Sequence, residues 1–499
     1  MSLALNLGGI SLLDVKQMYQ ADRLAVNAGI PSIKLMENAC AAVAAEIRTR
    51  WSPRRTLVLC GPGNNGGDGL GVATLLREAR WPVEVALFGS SDAFKADAAI
   101  MAQRWIGPFV DFDATQLDDV VLVVDALFGA GLQRPIEGRA RAMLEGAVER
   151  ELEIVAVDMP SGVHGDTGKI LGFAATSSVT VTFFRPKPGH MLLPGRDFRG
   201  QLIVSDIGIP VAVLDEIDPK QWLNGPNLWS AFWPWPGSHT HKYHRGHALV
   251  QGGGMDSTGA ARLAAESALK IGAGLVTIAA PTEALGIYGA QLTSVMLRAV
   301  DDAVGYKALL DDDRKNAVLI GPGCGVNAVT ESRVLETLAT GKACVLDADA
   351  LTVFVKNPNR LFQGIKGACV LTPHDGEYRR LFDTKGDRLS RARAAAEVSG
   401  SVVLLKGADS VIAAPDGRAA IVVNAPPHLA TAGSGDVLAG LVLGLLAQGC
   451  DPYYAACMAG WVHGEAGRRF GVGVVSEDLV LVLPEILEEM LTTHYLVSD

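Results

Sequence analysis

The sequence has few cysteines and no CxxC pair: Cys40, Cys60, Cys324, Cys344, Cys369, Cys450 and Cys457 are scattered and odd in number. That argues against a disulfide frame and for reduced thiols in a cytoplasmic protein. No apolar run reaches the ~20 residues that span a bilayer. The longest near the end, Val437 to Ala447, reads as a buried helix. Met1 to Ile10 has no positive residue ahead of an apolar stretch, so it does not read as a secretory signal. Basic residues are in deficit, 44 Lys and Arg against 54 Asp and Glu, for a formal net charge of -10. No nucleic-acid or membrane partner is therefore expected. Glycine is plentiful at 56 residues but has no G-X-Y period, which excludes a collagen-like fibre and leaves tight turns and close approaches to ligands.

With 499 residues, 49% hydrophobic and 20% charged, the chain has the length and composition for more than one globular core. Two helical patterns run from Ser11 to Arg50, the second beginning at Pro31. Strand-like runs follow at Thr56 to Cys60, Val83 to Phe88, Val120 to Val124 and Ile154 to Val157. Their nearly continuous apolarity suits a parallel sheet covered on both faces, so the predicted fold class is α/β, with a Rossmann-like doubly wound sheet first. Between about Pro210 and Arg245 the alternation fails in a stretch rich in Trp and Pro, with Trp222, Trp229, Trp233 and Trp235. The expected division is a domain over 1–215, a connector over 216–240 that packs on a domain, and a second domain over 241–499. A second α/β series begins after Gly246, with runs at Ala248 to Gln251, Leu275 to Ala279, Ala317 to Ile320, Ala343 to Leu346, Cys369 to Leu371 and Val402 to Leu405.

In the first half, Gly61-Pro62-Gly63-Asn64-Asn65-Gly66-Gly67-Asp68-Gly69 follows the strand ending at Cys60 and is expected to open a helix near Leu70. Glycines at a strand-to-helix junction let backbone N–H groups approach an anion, and the helix N-terminus adds its positive end. The plain alternative is a tight turn. Asp125 follows the strand Val120 to Val124 and precedes Phe128-Gly129-Ala130-Gly131-Leu132, while Asp158-Met159-Pro160-Ser161-Gly162 ends the next strand. Both acids sit at strand carboxyl ends, where helix capping is the competing reading. Asn65, Asp125 and Ser161 offer hard oxygen donors suited to a cation.

These three motifs, in this order, resemble the NAD(P)H-hydrate epimerase family over roughly residues 10–215. The resemblance implies interconversion of the R and S hydrates of NADH and NADPH. It places Asn64, Asn65, Gly66, Gly67 and Asp68, together with Gly129, Ala130, Gly131, Leu132, Gln133, Arg134 and Pro135, around the hydrate. It gives potassium to Asn65, Asp125 and Ser161, and puts Asp158 against the substrate. Asp158 is the expected acid/base, because inverting a hydroxyl-bearing carbon beside a ring nitrogen needs a proton shuttle.

In the second half, Gly252-Gly253-Gly254, Gly321-Pro322-Gly323-Cys324-Gly325, Asp347-Ala348-Asp349-Ala350-Leu351 and Thr372-Pro373-His374 each follow a strand-like run. The acidic pair Asp347 and Asp349 suits turn and cap chemistry as well as a site. Lys406-Gly407-Ala408-Asp409 and Ala432-Gly433-Ser434-Gly435-Asp436 carry most weight. Glycines at the start of a helix from about Asp436 form an anion hole for a phosphoryl group, and the Asp can take a proton from an attacking hydroxyl. The four histidines His239, His241, His244 and His247 are interrupted by Gly246 and joined by no Cys or acid, so no metal site is expected there. Asp311 to Asp313 reads as a solvated loop or helix end.

The GxGD element on this α/β order resembles the ribokinase-like superfamily, and the finer pattern, with Lys242 and Gly246, is similar to the ADP-dependent NAD(P)H-hydrate dehydratase family over roughly 240–490. That likeness implies a ribokinase-like second domain in which Gly323, His374 and Asp436 meet the hydrate, with Asp436 as catalytic base. It implies nucleotide contacts from Lys406, Gly407, Ala408, Asp409, Ser410, Gly433, Ser434 and Gly435. ADP is implied as phosphoryl donor, with magnesium, AMP and phosphate as the accompanying ion and products. Ala432 and Ser434 depart from the glycine and threonine frequent in the family; Ser434 keeps the hydroxyl. Together the two resemblances imply one bifunctional repair enzyme; a homo-oligomer is expected, though no residue pattern specifies its state. A sugar or vitamin kinase with an appended nucleotide-binding domain, and a noncatalytic nucleotide-binding module, are the rivals.

Overall fold

The computed structural model describes residues 10–498. The chain divides into two compact units, one over Ser11–Pro219 and one from Lys220 onward. Ile10 belongs with the latter: its carbonyl accepts from the Leu223 N–H at 3.0 Å.

The first unit holds seven parallel strands: β1 (Thr56–Cys60), β2 (Val83–Leu87), β3 (Phe109–Val110), β4 (Leu122–Ala126), β5 (Glu153–Val157), β6 (Val179–Phe183) and β7 (Gln201–Ser205). Their order is β3-β2-β1-β4-β5-β6-β7, so the sheet changes direction of growth between β1 and β4. At such a switch point the loops leaving neighbouring strands diverge and open a crevice beyond their carboxyl ends. The loop after Cys60 and the end of β4 flank it. Helices cover both faces, and each face has its own core, one around Val58, Val124 and Val155 and one around Leu57, Leu59 and Val123. Alternate side chains of the same strands serve the two, which is why the strands read as unbroken apolar runs.

The second unit holds β8 (Gln221–Leu223), β9 (His247–Gln251), β10 (Leu275–Ala280), β11 (Met296–Ala299), β12 (Ala317–Ile320), β13 (Ala343–Leu346), β14 (Cys369–Leu371), β15 (Val402–Leu405), β16 (Val411–Ala413) and β17 (Ala419–Ile421). The order is β11-β10-β9-β12-β13-β14-β15-β16-β17-β8. Only the β15–β16 and β16–β17 pairs are antiparallel. Its switch point lies between β9 and β12, between Gly252–Gly254 and the Gly321 loop. The Trp-rich stretch is built into this unit: Gln221–Leu223 is the edge strand, and Trp229, fully buried, packs on Trp233 and Trp461 at 5.5 and 5.8 Å between ring centroids.

The apolar run near the end is a helix, Ser434–Ala447, buried at all but two of its 14 residues. It lies against the helix Thr258–Lys270 so closely that a Cβ on Gly440 would stand 2.2 Å from the Ala264 carbonyl oxygen. Both units have the expected α/β architecture, the first a doubly wound sheet. Among the described residues no helix is long and apolar enough to cross a membrane.

Candidate functional site

A cavity of about 700 Å³ opens at the first switch point, lined by Asn64, Asn65, Asp68, the loop Gly129 to Arg134, Asp158 and, from outside the sequence motifs, Tyr19, Asp22 and Lys187. Asp158 sits at its floor in the left-handed region, φ 66°, a conformation that side-chain-bearing residues adopt at a cost and that recurs at active sites. Four bonds fix it. Lys187 Nζ donates to Oδ1 at 2.5 Å, Thr182 Oγ1 to the same oxygen at 3.0 Å, the Ala130 N–H to Oδ2 at 3.1 Å, and His190 Nε2 lies 2.8 Å from its carbonyl oxygen. His190 Nδ1 accepts from the Lys187 N–H at 3.0 Å, which leaves Nε2 as the donor. Burial works to raise the Asp158 pKa, yet the Lys187 charge and hydrogen bond bring it down to about 2. Two neighbours go the other way. Burial first, then the Asp158 and Asp22 charges, push Asp68 well above the carboxylate range, and burial lifts Asp22 to about 6 against the pull of Lys187.

Asn65 lines this cavity, and Asp125 and Ser161 meet behind its Leu127–Phe128 wall. Ser161 Oγ donates to Asp125 Oδ1 at 2.6 Å, the Ser161 N–H to Oδ2 at 2.8 Å, and the Phe128 N–H to Ser161 Oγ at 2.9 Å. Asn65 Oδ1 lies 3.2 Å from the Cβ position of Gly129, and its buried Nδ2 has no hydrogen-bond partner among the described residues. Burial raises the Asp125 pKa, and its hydrogen bonds with Ser161 only partly oppose that. A buried carboxylate among neutral hard oxygens is a donor set that fits a monovalent cation.

The glycine loop differs from its sequence reading. The helix begins at Asn64, not near Leu70, and Gly66 and Gly67 lie in its first turns, buried and away from the cavity lining. A Cβ on Gly66 would meet the Gly61 carbonyl oxygen at 1.8 Å, and one on Gly67 the Ala98 Cα at 2.8 Å. These two glycines serve helix packing; Asn64, Asn65 and Asp68 face the cavity. Pro135 lies outside the lining as well. Lys187, His190, Thr182, Tyr19 and Asp22 escaped the sequence reading, although the turn-rich Arg185-Pro186-Lys187-Pro188-Gly189-His190 directly after β6 marks a strand-end loop.

In the second unit the ends of β13, β14 and β15 bring Asp347, His374 and Lys406 together. Lys406 pairs with His374 across an isolated parallel bridge, and its Nζ donates to Asp347 Oδ1 at 2.7 Å. The helix of the Gly433-Ser434-Gly435-Asp436 segment starts at Ser434, two residues before the expected Asp436, with Gly433 at φ 83° as its cap. Lys406 Nζ stands 3.4 Å from the Cβ position of Gly435. Burial, then the Asp347 charge, lifts Asp436 to about 6 against the attraction of Lys406. Ser434 Oγ lies 3.0 Å from Nε2 of His463, a histidine that burial lowers to about 4 and that no sequence spacing linked to this loop.

His374 is a helix cap with an outward ring: its Nδ1 accepts from the Gly376 and Glu377 N–H groups, and the side chain is 56% exposed. In the Lys406 to Ser410 turn, Asp409 is held by Arg388 at 2.8 Å and Ser410 Oγ accepts from the Gly407 N–H at 3.0 Å, while Ala408 is exposed. The Gly323 carbonyl lies 2.0 Å from the Cβ position of Gly253, so the two switch-point loops touch. They border a cavity of about 920 Å³ that reaches Arg333.

Two family models match the chain in tandem. The YjeF-related protein N-terminus covers residues 32–189 and NAD(P)H-hydrate dehydratase covers 248–488. A bifunctional NAD(P)H-hydrate repair enzyme Nnr of Moorella thermoacetica is 37% identical over 96% of this chain and 97% of its own. One of Salinibacter ruber is 36% identical over 96% of each chain. Among solved structures, an ADP/ATP-dependent NAD(P)H-hydrate dehydratase of Bacillus subtilis is 28% identical, covers 52% of this chain and 95% of its own, and superposes with a TM-score of 0.47. With such identities running the length of both chains through both units, this chain belongs to the family of bifunctional NAD(P)H-hydrate repair enzymes.

Proposed function

We propose that the first unit epimerises the R and S hydrates of NADH and NADPH, and that the second restores NAD(P)H from the S hydrate at the expense of ADP. The observation that carries this reading is the presence in one chain of both matching halves, each with its acid placed at the carboxyl ends of the sheet, Asp158 on Lys187 and Asp436 beside Lys406.

In the first unit the cavity takes the hydrated ring between Asn64, Asn65, Asp68 and the loop Gly129 to Arg134. Asp158, kept ionised by Lys187, accepts the hydroxyl hydrogen as the ring carbon–nitrogen bond opens to an aldehyde; Asp68, whose pKa burial and the Asp158 and Asp22 charges raise, protonates the freed nitrogen, and re-closure on the other face of the aldehyde returns both protons and inverts the carbon. Two carboxyls whose surroundings push their pKa values apart divide acid and base roles in this way. Asn65, Asp125 and Ser161 hold potassium, which supplies fixed positive charge beside the Gly129 loop.

In the second unit Asp436 takes the proton of the hydrate hydroxyl as that oxygen attacks the β-phosphorus of ADP. The N–H groups at Gly433 to Gly435 and the open end of the helix Ser434–Ala447 stabilise the transferring phosphoryl group. AMP leaves; phosphate then departs from the ring carbon and a proton from its neighbour, which restores the double bond. Lys406 to Ser410 line the nucleotide, Gly323 and His374 the hydrate, and magnesium accompanies the phosphates.

The test is reduced-nicotinamide absorbance after adding enzyme to a racemic hydrate with magnesium and either ADP or ATP. Complete recovery of NADH requires both activities. Recovery that stops near half leaves the first unit silent, and none with either nucleotide, alongside a stable phosphorylated product from another alcohol, replaces this reading by the kinase.

A further inference from the structure

Asp347 is 1% exposed at the end of β13, beside one strained backbone position and one close backbone approach. Ala348 follows at φ 48°, ψ -114°, outside the regions that side-chain-bearing residues favour, while the Gly321 backbone lies so close that a Cβ there would stand 1.7 Å from the Asp347 carbonyl oxygen. Strain of this kind persists only where the surrounding fold over-determines a position, and here it fixes a carboxylate against the Lys406 ammonium at 2.7 Å. Its companion Asp349 faces the other way and accepts from the Gly325 N–H at 2.8 Å. The two acids thus tie the Lys406 strand end and the Gly323 loop to one short turn.

We propose that Asp347 is a positioning residue for phosphoryl transfer: it holds the Lys406 ammonium beside Gly435, so that Lys406 does not close on Asp436 and the Asp436 carboxylate stays free to receive the hydroxyl proton. The inference rests on the dehydratase reading of the second unit. Asp347 and Lys406 are the charged groups that act on Asp436, with Glu377 and His463 in turn beside Lys406. Asp347 raises the Asp436 pKa and Lys406 lowers it, the balance standing at about 6.

Two variants of the full chain test this. In Asp347→Asn the repulsion is gone and Lys406 is released towards Asp436, so the acidic limb of kcat for dehydration moves down by about one pH unit, with kcat at its optimum reduced about 30-fold and KM for the hydrate changed less than about threefold. In Lys406→Met the limb moves up. The same shifts are read without turnover by 13C NMR of aspartate-labelled protein, following the carboxyl resonance that is missing from Asp436→Asn. Opposite displacements of that titration in the two variants are expected. An unmoved limb and titration in Asp347→Asn, with only a uniform loss of rate or of cooperative unfolding, overturns the proposal and leaves Asp347 structural. If Asp347→Asn does not fold, an unmoved titration in Lys406→Met overturns it alone. Absence of dehydration in the parent enzyme defeats the functional reading, while the NMR titration still decides the arrangement.

Discussion

Lys187 and Asp158 form a buried ion pair, Nζ to Oδ1 at 2.5 Å, with side chains only 3% and 17% exposed. The Lys187 ammonium has no bulk water to fall back on, and Asp158 meets solvent only through the cavity. Removing one partner of such a pair leaves the other uncompensated, at a cost of about 3–5 kcal/mol. Lys187→Met is therefore expected to lower stability by about 3 kcal/mol in urea unfolding of the first unit and epimerisation by at least about 100-fold. An epimerisation rate near that of the parent removes Lys187 from the site chemistry.

Asp158→Asn keeps the shape and loses the charge. Conversion of R to S hydrate should fall by about 100-fold or more, while dehydration of purified S hydrate stays at the parent rate. With racemic hydrate the absorbance then stops near half recovery. Loss of both activities together would contradict separate sites.

Asp436 titrates at about 6, above its ordinary value of 3.8. With its charged form as the proposed base, kcat for dehydration should fall as pH drops through about 6, while epimerisation, for which Asp158 at about 2 is the proposed base, should show no such limb from Asp158. The sign for stability is opposite. A carboxyl raised on folding stabilises the fold below its unfolded pKa, and that stabilisation is lost as pH climbs from about 4 to about 6. Asp436→Asn should therefore unfold at higher urea than the parent at pH 8, by ~1–2 kcal/mol, and show no gain at pH 4. The same variant should lose dehydration by about 1,000-fold.

Gly66 and Gly63 separate packing from ligand contact. A Cβ at Gly63 meets nothing within 4 Å, whereas one at Gly66 runs into the Gly61 carbonyl at 1.8 Å. Gly63→Ala should change stability by less than about 0.5 kcal/mol, and Gly66→Ala should destabilise the first unit by about 3 kcal/mol or leave it unfolded. Equal stabilities would refute the packing role.

Potassium binding at Asn65, Asp125 and Ser161 should stabilise the folded state by mass action. Replacing potassium chloride with tetramethylammonium chloride at constant ionic strength is expected to lower the melting temperature of the parent and slow epimerisation, with no effect on either in Asp125→Asn. A parent indifferent to the cation would leave Asp125 to hydrogen bonding alone.

The strands that read as unbroken apolar runs were legible because burial on both faces leaves no polar position; β1 and β12 to β15 coincide with their runs, and β5 begins one residue before its own. β6 was not, since Thr180 and Thr182 interrupt the run and are satisfied only by tertiary partners, the Arg199 carbonyl and Asp158. The helix start at Asn64 was hidden for a related reason: Asn-Asn-Gly-Gly has poor helix propensity, and packing against Gly61 and Ala98 overrides it. Asp125, Asp158 and Asp436 were legible from their places at strand and helix ends. Lys187 was not, because its importance lies in a partner 29 residues away, and a lone lysine in a turn-rich segment ordinarily reads as solvated.

The helix Ser434–Ala447 has a consequence for how this protein can change. Its first turn is the proposed phosphoryl loop, yet the rest is wedged into the core, with Gly440 and Gly444 pressed on Ala264 and Ala268. A mutation that shifts the loop must also repack two helices, so drift at this end is purged as misfolding before it is tested as chemistry. In the turn that joins β15 to the antiparallel β16, Lys406 and Asp409 are held by ion pairs, but the exposed Ala408 at its tip is free of that constraint. Divergence in nucleotide preference among descendants of this chain should accumulate there, beside a phosphoryl loop that stays put.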